Sequence, residues 1–251
     1  MSRSLSETGL IIRVAPLGDS DRFVTFFTKE HGKITTIAKG IRSIKSRRNP
    51  HIELMNRVRF QYWKSKHYLY LTQAQAEEHF RDLKKEINVM ASGIFITEAL
   101  ERLTPEEEPN PALFELLNTA LELMNFYPQK HVEIREATLI KLLQQLGHIT
   151  SFRTCSHCQK RLPQSNAYLD REHSTLSCQN CVKDHPTFHY DPVSLETLKL
   201  MHFLLEHPLG AILQLKTSSA HISIMTQFGR TFLQKTLHHP LKSERSLHLY
   251  K

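Results

Sequence analysis

The chain has 251 residues, with 33 Lys+Arg against 25 Asp+Glu, a formal net charge of +8. Apolar residues at 40% and charged residues at 23% fit a folded protein, and 8 glycines with 11 prolines exclude a collagenous or low-complexity chain. No charge-free apolar run reaches the ~18–20 residues a membrane helix needs, and Met1 to Gly9 lacks the apolar core of a signal peptide, so the expectation is a cytoplasmic protein without a membrane partner.

The charge is unevenly placed. Residues 1–80 hold 14 Lys+Arg and 7 Asp+Glu, while residues 81–251 hold 19 and 18. Lys33 to Lys66 carries ten basic residues and one acid, Glu53. That asymmetry predicts a polyanion-binding module joined to a near-neutral remainder. A merely solvated basic face is the alternative.

The first eighty residues read as strands. Gly9–Val14 is apolar and β-branched, and Gly18-Asp19-Ser20-Asp21 follows as a turn. Phe23–Thr28 and Ile34–Ala38 are two more β-rich runs, separated by His31-Gly32. A cationic stretch, Arg42 to Pro50, comes next. Arg57–Trp63 alternates, so Val58, Phe60 and Tyr62 share one face and Arg57, Arg59, Gln61 and Trp63 the other. Tyr68–Thr72 is a fifth run. Five short strands with one long connection fit a small closed barrel of OB-fold type, and an SH3-like barrel would look similar. Lysines and arginines neutralise phosphates and aromatics stack on any base, so such a barrel would suit single-stranded nucleic acid. Arg57, Arg59 and Trp63 are candidates on one strand face. A half-buried edge aromatic is the other reading of Trp63.

The middle of the chain is helical. Lys84–Leu103 is rich in helix formers and apolar nearly all round from Val89 to Leu100, as in a buried bundle helix. Asn110-Pro111 offers an N-cap followed by proline at the first helical position. Leu113, Leu116, Leu117, Ala120, Leu121 and Met124 then repeat at helical spacing. A third helix is predicted from Val132 to Leu146, capped by Gly147. These stripes read as core, with no ligand implied.

The sharpest motif is Cys155-Ser-His-Cys158 followed by Cys178-Gln-Asn-Cys181. Two such knuckles present four thiolates to one point, which suits tetrahedral Zn²⁺. Tyr168-Leu169 and Leu176 between them suggest a zinc-ribbon hairpin. Two disulfides are the main alternative, disfavoured in a reducing cytoplasm. Four protein ligands close the shell, so one structural zinc per chain is expected, with His157, His173, His185 and His189 outside it. Ser194 is a plausible cap for a further helix, a last helix covers about His221–Leu237, and the basic tail from His238 reads as frayed.

Motifs for nucleotide-dependent or hydrolytic chemistry are missing: no phosphate-binding loop, dinucleotide fingerprint, serine elbow or zinc-protease helix occurs. Asp19 and Asp21 would be nuclease metal ligands only if their turn did not explain them. The reading is therefore a non-enzyme. The expected architecture is multi-domain α+β. A basic, nucleic-acid-binding OB-fold spans 1–80, a helical domain 81–150, a zinc-ribbon-like module 151–190, and C-terminal helices packing on the helical domain 191–251.

The stretches Gly18-Asp-Ser-Asp-Arg-Phe-Val-Thr-Phe-Phe-Thr28, His31-Gly-Lys33 and Ala38-Lys-Gly-Ile-Arg42 with Lys45-Ser46-Arg47, together with the order of parts and the cysteine spacing, resemble the RecO family of DNA repair proteins. The resemblance covers essentially the whole chain. It implies a recombination mediator that binds single-stranded and double-stranded DNA and anneals complementary strands. With RecR, such proteins help load RecA onto DNA coated by the single-stranded-DNA-binding protein, SSB. They also bind the acidic, apolar C-terminal tail of SSB through the helical part. It further implies a bacterial, nucleoid-associated protein whose DNA contacts are Lys39, Arg42, Lys45, Arg47 and Arg48, to which the strand reading adds Arg57, Arg59 and Trp63. A zinc-ribbon RNA-binding factor and an unrecognised nuclease are the rival readings.

Overall fold

The structure, a computed structural model, describes residues 4–43, 46, 48–149, 152–162, 167–170, 172–173, 175–184, 189–237 and 239–248. The chain forms two compact units. One takes the described residues up to 128 together with 245–248, and the other takes those from 129 to 244. The helices expected together over 81–150 are thus shared between the units.

The first unit contains a closed five-stranded barrel: β1 (Leu5–Leu17), β2 (Asp21–Thr28), β3 (Gly32–Ala38), β4 (Arg57–Lys64) and β5 (Leu69–Glu78), ordered β1-β2-β3-β5-β4 with β4 returning to β1. Its closing contact, β3 to β5, is parallel, and the other pairings are antiparallel. The topology is OB-like. β1 is longer than its apolar run because it serves two neighbours: Leu5–Leu10 pairs with β4 and Gly9–Leu17 with β2, across a register irregularity at Ile11/Arg13. Such irregularities let one strand bend between two partners. The predicted alternation in β4 holds, with Val58, Phe60 and Tyr62 all buried. Phe26 stacks on Phe60 with ring centroids 3.8 Å apart, at the centre of a core that includes Ile11, Val24, Ile34 and Leu71.

Three helices complete this unit: α1 (Arg81–Lys85), α2 (Ile87–Leu103) and α3 (Pro111–Phe126). Asn110 caps α3 as expected, its side-chain oxygen accepting from the Leu113 N–H at 3.0 Å. The β2–β3 turn docks on the end of α2. Lys33 is buried, and its ammonium donates to the carbonyls of Glu101 (2.9 Å) and Thr104 (2.8 Å). The Glu106 carboxylate lies 3.5 Å away. The last carbonyls of a helix have no partner within it and carry its negative dipole end, so a cation there satisfies both needs. Gly32 has φ +66°, and a Cβ on it would run into the backbone carbonyl of Glu108.

At the other end of β3, the Asp21 carboxylate accepts from the Gly40 N–H (2.8 Å) and the Ser20 hydroxyl (3.0 Å). First the Gly40 N–H and then Ser20 hold this carboxyl below its ordinary pKa. The turn thereby explains Asp21 without a metal.

In the second unit, α4 (His131–Gln145) is buried nearly all round and packs against α6 (Leu195–Glu206) and α7 (Ser219–Thr236). It ends at Gly147, where the N–H groups of Gly147 and His148 donate back to the Gln144 and Leu143 carbonyls, both at 2.9 Å. Ser194 caps α6, accepting from the Thr197 N–H at 3.2 Å. A small sheet of β6 (Ala167–Asp170), β7 (Thr175–Cys178) and β8 (Tyr190–Val193), ordered β7-β6-β8, precedes α6, with α5 (Gln179–Asp184) following β7. Part of the tail read as frayed is helical, as α8 (Lys242–His248).

Lys33→Met removes two charge-assisted hydrogen bonds and is expected to destabilise the protein by about 1–3 kcal/mol in urea unfolding. Gly32→Ala should cost clearly more than Gly18→Ala. Both glycines have positive φ, but only Gly32 faces a backbone collision. Asp21 has a lowered native pKa, so its stabilisation is present above the ordinary aspartate value of about 3.9 and is lost as pH falls through the lower native one. Urea titrations through this acid range should show a shallower loss of stability for Asp21→Asn than for the wild type.

Candidate nucleic-acid interface and metal centre

The β1–β2 turn, the turn after β3 and the β4–β5 hairpin meet at one end of the barrel. Register requires this: Arg22 lies opposite Ala38, Ile37 opposite Tyr70, and Tyr70 opposite Trp63. The Arg42 N–H donates to the Ser20 carbonyl at 3.0 Å, fastening the start of the cationic stretch to the same end. Trp63 and Tyr70 stack here with centroids 4.8 Å apart and planes 19° apart. The Lys39 ammonium lies 5.6 Å from the Tyr70 centroid, within cation–π range. Trp63 is 37% exposed and Tyr68, beside it in the hairpin, 54%. Lys39, Arg42, Lys64 and Lys66 are exposed around them. The result is a row of cation, ring and ring.

The other sequence candidates have different surroundings. Arg57 and Arg59 do share the outer face of β4 with Trp63, but they sit toward α3. The Arg57 guanidinium donates to Asn118 (2.9 Å) and Glu122 (3.1 Å) on α3. Arg59 pairs with Glu77 at 2.9 Å. Arg48 is half-buried, and its guanidinium donates to the carbonyls of Leu71 and Lys39, each at 2.6 Å, tying the long connection to β5 and to the end of β3. Lys45 and Arg47 lie outside the described residues. Tyr70, Tyr68, Lys64 and Lys66 were absent from the sequence candidates. The signal for the tyrosines was present in Tyr68-Leu69-Tyr70-Leu71, whose alternation turns the leucines inward and the tyrosines out.

In the second unit, the ligand atoms of Cys155, Cys158, Cys178 and Cys181 lie within 4.8 Å of one another. Among the described residues this is the one cluster of metal-ligating type. The first knuckle is a tight loop. The Cys155 N–H donates to the Lys160 carbonyl (2.9 Å), the Gln159 N–H donates back to Cys155 (3.0 Å), and Thr154 and Arg161 form a bridge at its base. The second knuckle places Cys178 at the end of β7 and Cys181 in α5. The Leu176 carbonyl accepts from the Ser156 N–H at 2.8 Å, and the Cys178 N–H points at the Cys155 sulfur at 3.3 Å, holding the knuckles face to face.

The Cys158 and Cys178 sulfurs are 3.9 Å apart. Tetrahedral zinc with ~2.3 Å bonds requires sulfur separations of about 3.8 Å. Burial works against a Cys155 thiolate, but the N–H groups of Cys158, Cys178 and His157 outweigh it and bring the thiol down to about 6. Burial and the neighbouring sulfurs push Cys181 up to about 12. Four sulfurs so close suit a shared divalent cation, which relieves the repulsion among thiolates. Of the flanking histidines, His173 sits 2.9 Å from the buried Asp170 carboxylate instead.

Two family models match in tandem. "Recombination protein O N terminal" covers residues 1–80 and "Recombination protein O C terminal" covers residues 84–245. The DNA repair protein RecO of Dehalococcoides mccartyi (strain CBDB1) is 27% identical over 214 residues, 85% of this chain and 83% of the relative. That of Pelotomaculum thermopropionicum is 27% identical over 236 residues, 93% and 90% of the two chains. The RecO of Symbiobacterium thermophilum is 30% identical over 158 residues, 63% and 62%. With both halves matched in order, the chain belongs to the recombination protein O family of DNA repair proteins.

Proposed function

We propose that the protein is a recombination mediator that holds single-stranded and double-stranded DNA at the Lys39–Trp63–Tyr70 end of its barrel and anneals complementary strands. The Trp63–Tyr70 stack, with Lys39 over its tyrosine, carries this reading. Bases of any sequence stack on such rings, and the surrounding cations neutralise phosphates and release counterions. We assign direct contact to Lys39, Arg42, Trp63 and Tyr70, with Lys45 and Arg47 continuing the cationic stretch. Arg48, bonded to neutral backbone carbonyls, adds to the positive field while serving the fold, whereas Arg57 and Arg59 are matched by Glu122 and Glu77 and serve mainly the fold.

Annealing is slow because two phosphate backbones repel. A surface that splays one strand over rings and screens its charge lowers that barrier, and its residual positive field attracts the second strand. This route needs no nucleotide hydrolysis. Family membership supports the remaining reading: action in the bacterial cytoplasm with RecR, on strands coated by SSB whose acidic tail docks on the helical part, in support of RecA loading. The four cysteines hold one zinc, which supplies a structural cross-link between the knuckles.

Trp63→Ala and Tyr70→Ala should each weaken single-strand binding by about 1–3 kcal/mol in fluorescence anisotropy without changing the fold. Lys39→Gln and Arg42→Gln should each flatten the log–log salt dependence by about 0.7, one phosphate's worth. Full annealing by a Trp63→Ala, Tyr70→Ala double variant would place the strand elsewhere, and tighter binding of an RNA competitor would favour an RNA-binding role. Elemental analysis should find about one zinc per chain, with chelation lowering thermal stability and added zinc restoring it. Unchanged stability on chelation would dismiss a structural metal.

A further inference from the structure

All four cysteines of the chain lie in the second unit, and they are unequally exposed. Cys155 and Cys181 are buried, Cys178 is half-buried, and Cys158 is exposed. Cys158 sits among exposed His157, Gln159 and Lys160, and Cys178 is followed by exposed Gln179 and Asn180. The cluster therefore has a closed side and an open side. The two sulfurs on the open side are 3.9 Å apart, and they belong to different knuckles, 20 residues apart in sequence.

The closed side is held in place. The Cys155 backbone is tied to Lys160 and to Gln159, and Cys181 is set in α5. On the open side, a disulfide needs its sulfurs ~2.0 Å apart, so Cys158 and Cys178 have about 2 Å to close. Cys158 also has the access to solvent that oxidation selects. Closure there would leave a divalent ion with the two thiolates of Cys155 and Cys181, where tetrahedral zinc uses four ligands.

We propose that Cys158 and Cys178 form an oxidation site, at which a hydroperoxide closes a disulfide between the two knuckles and frees the metal. With hydrogen peroxide, the Cys158 thiolate attacks one oxygen and the O–O bond breaks. Cys158 becomes a sulfenic acid, and the departing hydroxide takes a proton to leave as water. The Cys178 thiolate then attacks the Cys158 sulfur, the S–O bond breaks, and a second hydroxide leaves, protonated, as water. The two thiolates give up two electrons in forming the S–S bond, and the peroxide gains them. Interception by Cys178 keeps Cys158 from the irreversible sulfinic and sulfonic acids. The disulfide also keeps the knuckles cross-linked once the metal is gone, a tie that the reduced, metal-free chain lacks. The metal release rests on the zinc reading given above, whereas the choice of cysteines rests on their exposure and spacing.

The test treats the full-length, zinc-loaded protein with hydrogen peroxide and follows free zinc with a colorimetric chelator. Trypsin cuts after Arg153, Lys160, Arg171 and Lys183, so the knuckles fall in separate peptides, residues 154–160 and 172–183. Mass spectrometry without reduction should find these two peptides joined, with fragmentation placing the bond between Cys158 and Cys178. About one zinc should be released per bond formed, and a thiol reductant with added zinc should reverse both changes. The oxidised, zinc-free chain should unfold at a higher temperature than the reduced, chelated chain. Unlinked peptides with internal disulfides, or a Cys158 sulfinic acid without a link, would overturn the oxidation site. A Cys158–Cys178 bond formed with zinc retained would overturn the release alone. If the isolated chain carries no zinc yet still links Cys158 to Cys178, the oxidation site stands and the release falls with the zinc reading. Equal unfolding temperatures would overturn the cross-link's role in holding the knuckles.

Discussion

A buried ammonium requires acceptors on every side, and Lys33 finds them where α2 runs out of partners of its own. The Glu101 and Thr104 carbonyls accept hydrogen bonds from two of its N–H groups, and Glu106 supplies the counter-charge. The same loop pairs with β3: Lys33 and Glu106 form a bridge, and the Glu107 N–H donates to the Lys33 carbonyl at 3.1 Å. Gly32 then has to be glycine, because the backbone of Glu108 occupies the space of a side chain. This junction decides which end of the barrel the helices cover. Lys33 and Lys39 are six residues apart on an extended strand, about 20 Å at ~3.3 Å per residue. Helices anchored at the Lys33 end leave the Lys39 end open.

The same geometry sorts the cations. Residues 1–80 carry nearly all of the chain's excess charge, but much of it is spent inside the fold. Lys33 enters α2's end, Arg57 clamps α3, Arg59 meets Glu77, Lys29 meets Glu115, and Arg13 meets Glu101. Exposed pairs of this kind add little stability, but they cancel field where they occur. Lys39, Arg42 and Lys66 are exposed at the opposite end, beside the stacked rings. A net charge spread along eighty residues of sequence becomes a field concentrated at one end of the barrel.

What the sequence made legible follows from how local each signal is. Alternation over Arg57–Trp63 is a property of one strand, and it put Val58, Phe60 and Tyr62 in the core correctly. The caps Asn110, Ser194 and Gly147 act within a few residues of themselves, and each stands where its helix begins or ends. The cysteine spacing is also local, because each knuckle is a single turn. The fates of Arg57 and Trp63 were not legible. They share a face, yet Asn118 and Glu122, over sixty residues away, claim one, while Tyr70 across the hairpin claims the other. Barrel closure by β3 and β5, and the addition of β8 to the small sheet, likewise depend on pairings that no short window contains.

The two units make different demands on the chain. The barrel closes on itself and has a large apolar core, so it needs no cross-link. The sheet of β6, β7 and β8 has strands of four residues each, too short to be stable alone. Bringing Cys155 and Cys158 to Cys178 and Cys181 ties that sheet to the knuckle. With zinc bound as proposed, four thiolates and one divalent ion together contribute about −2. The chain's +8 then becomes about +6, and the loss falls wholly on the second unit. Metal binding as proposed would therefore sharpen the contrast between a barrel with an exposed cationic end and a remainder of small net charge. Within it, Arg153 and Arg161 stand at the two feet of the loop that carries Cys155 and Cys158, with Lys199 of α6 lining a cavity beside them.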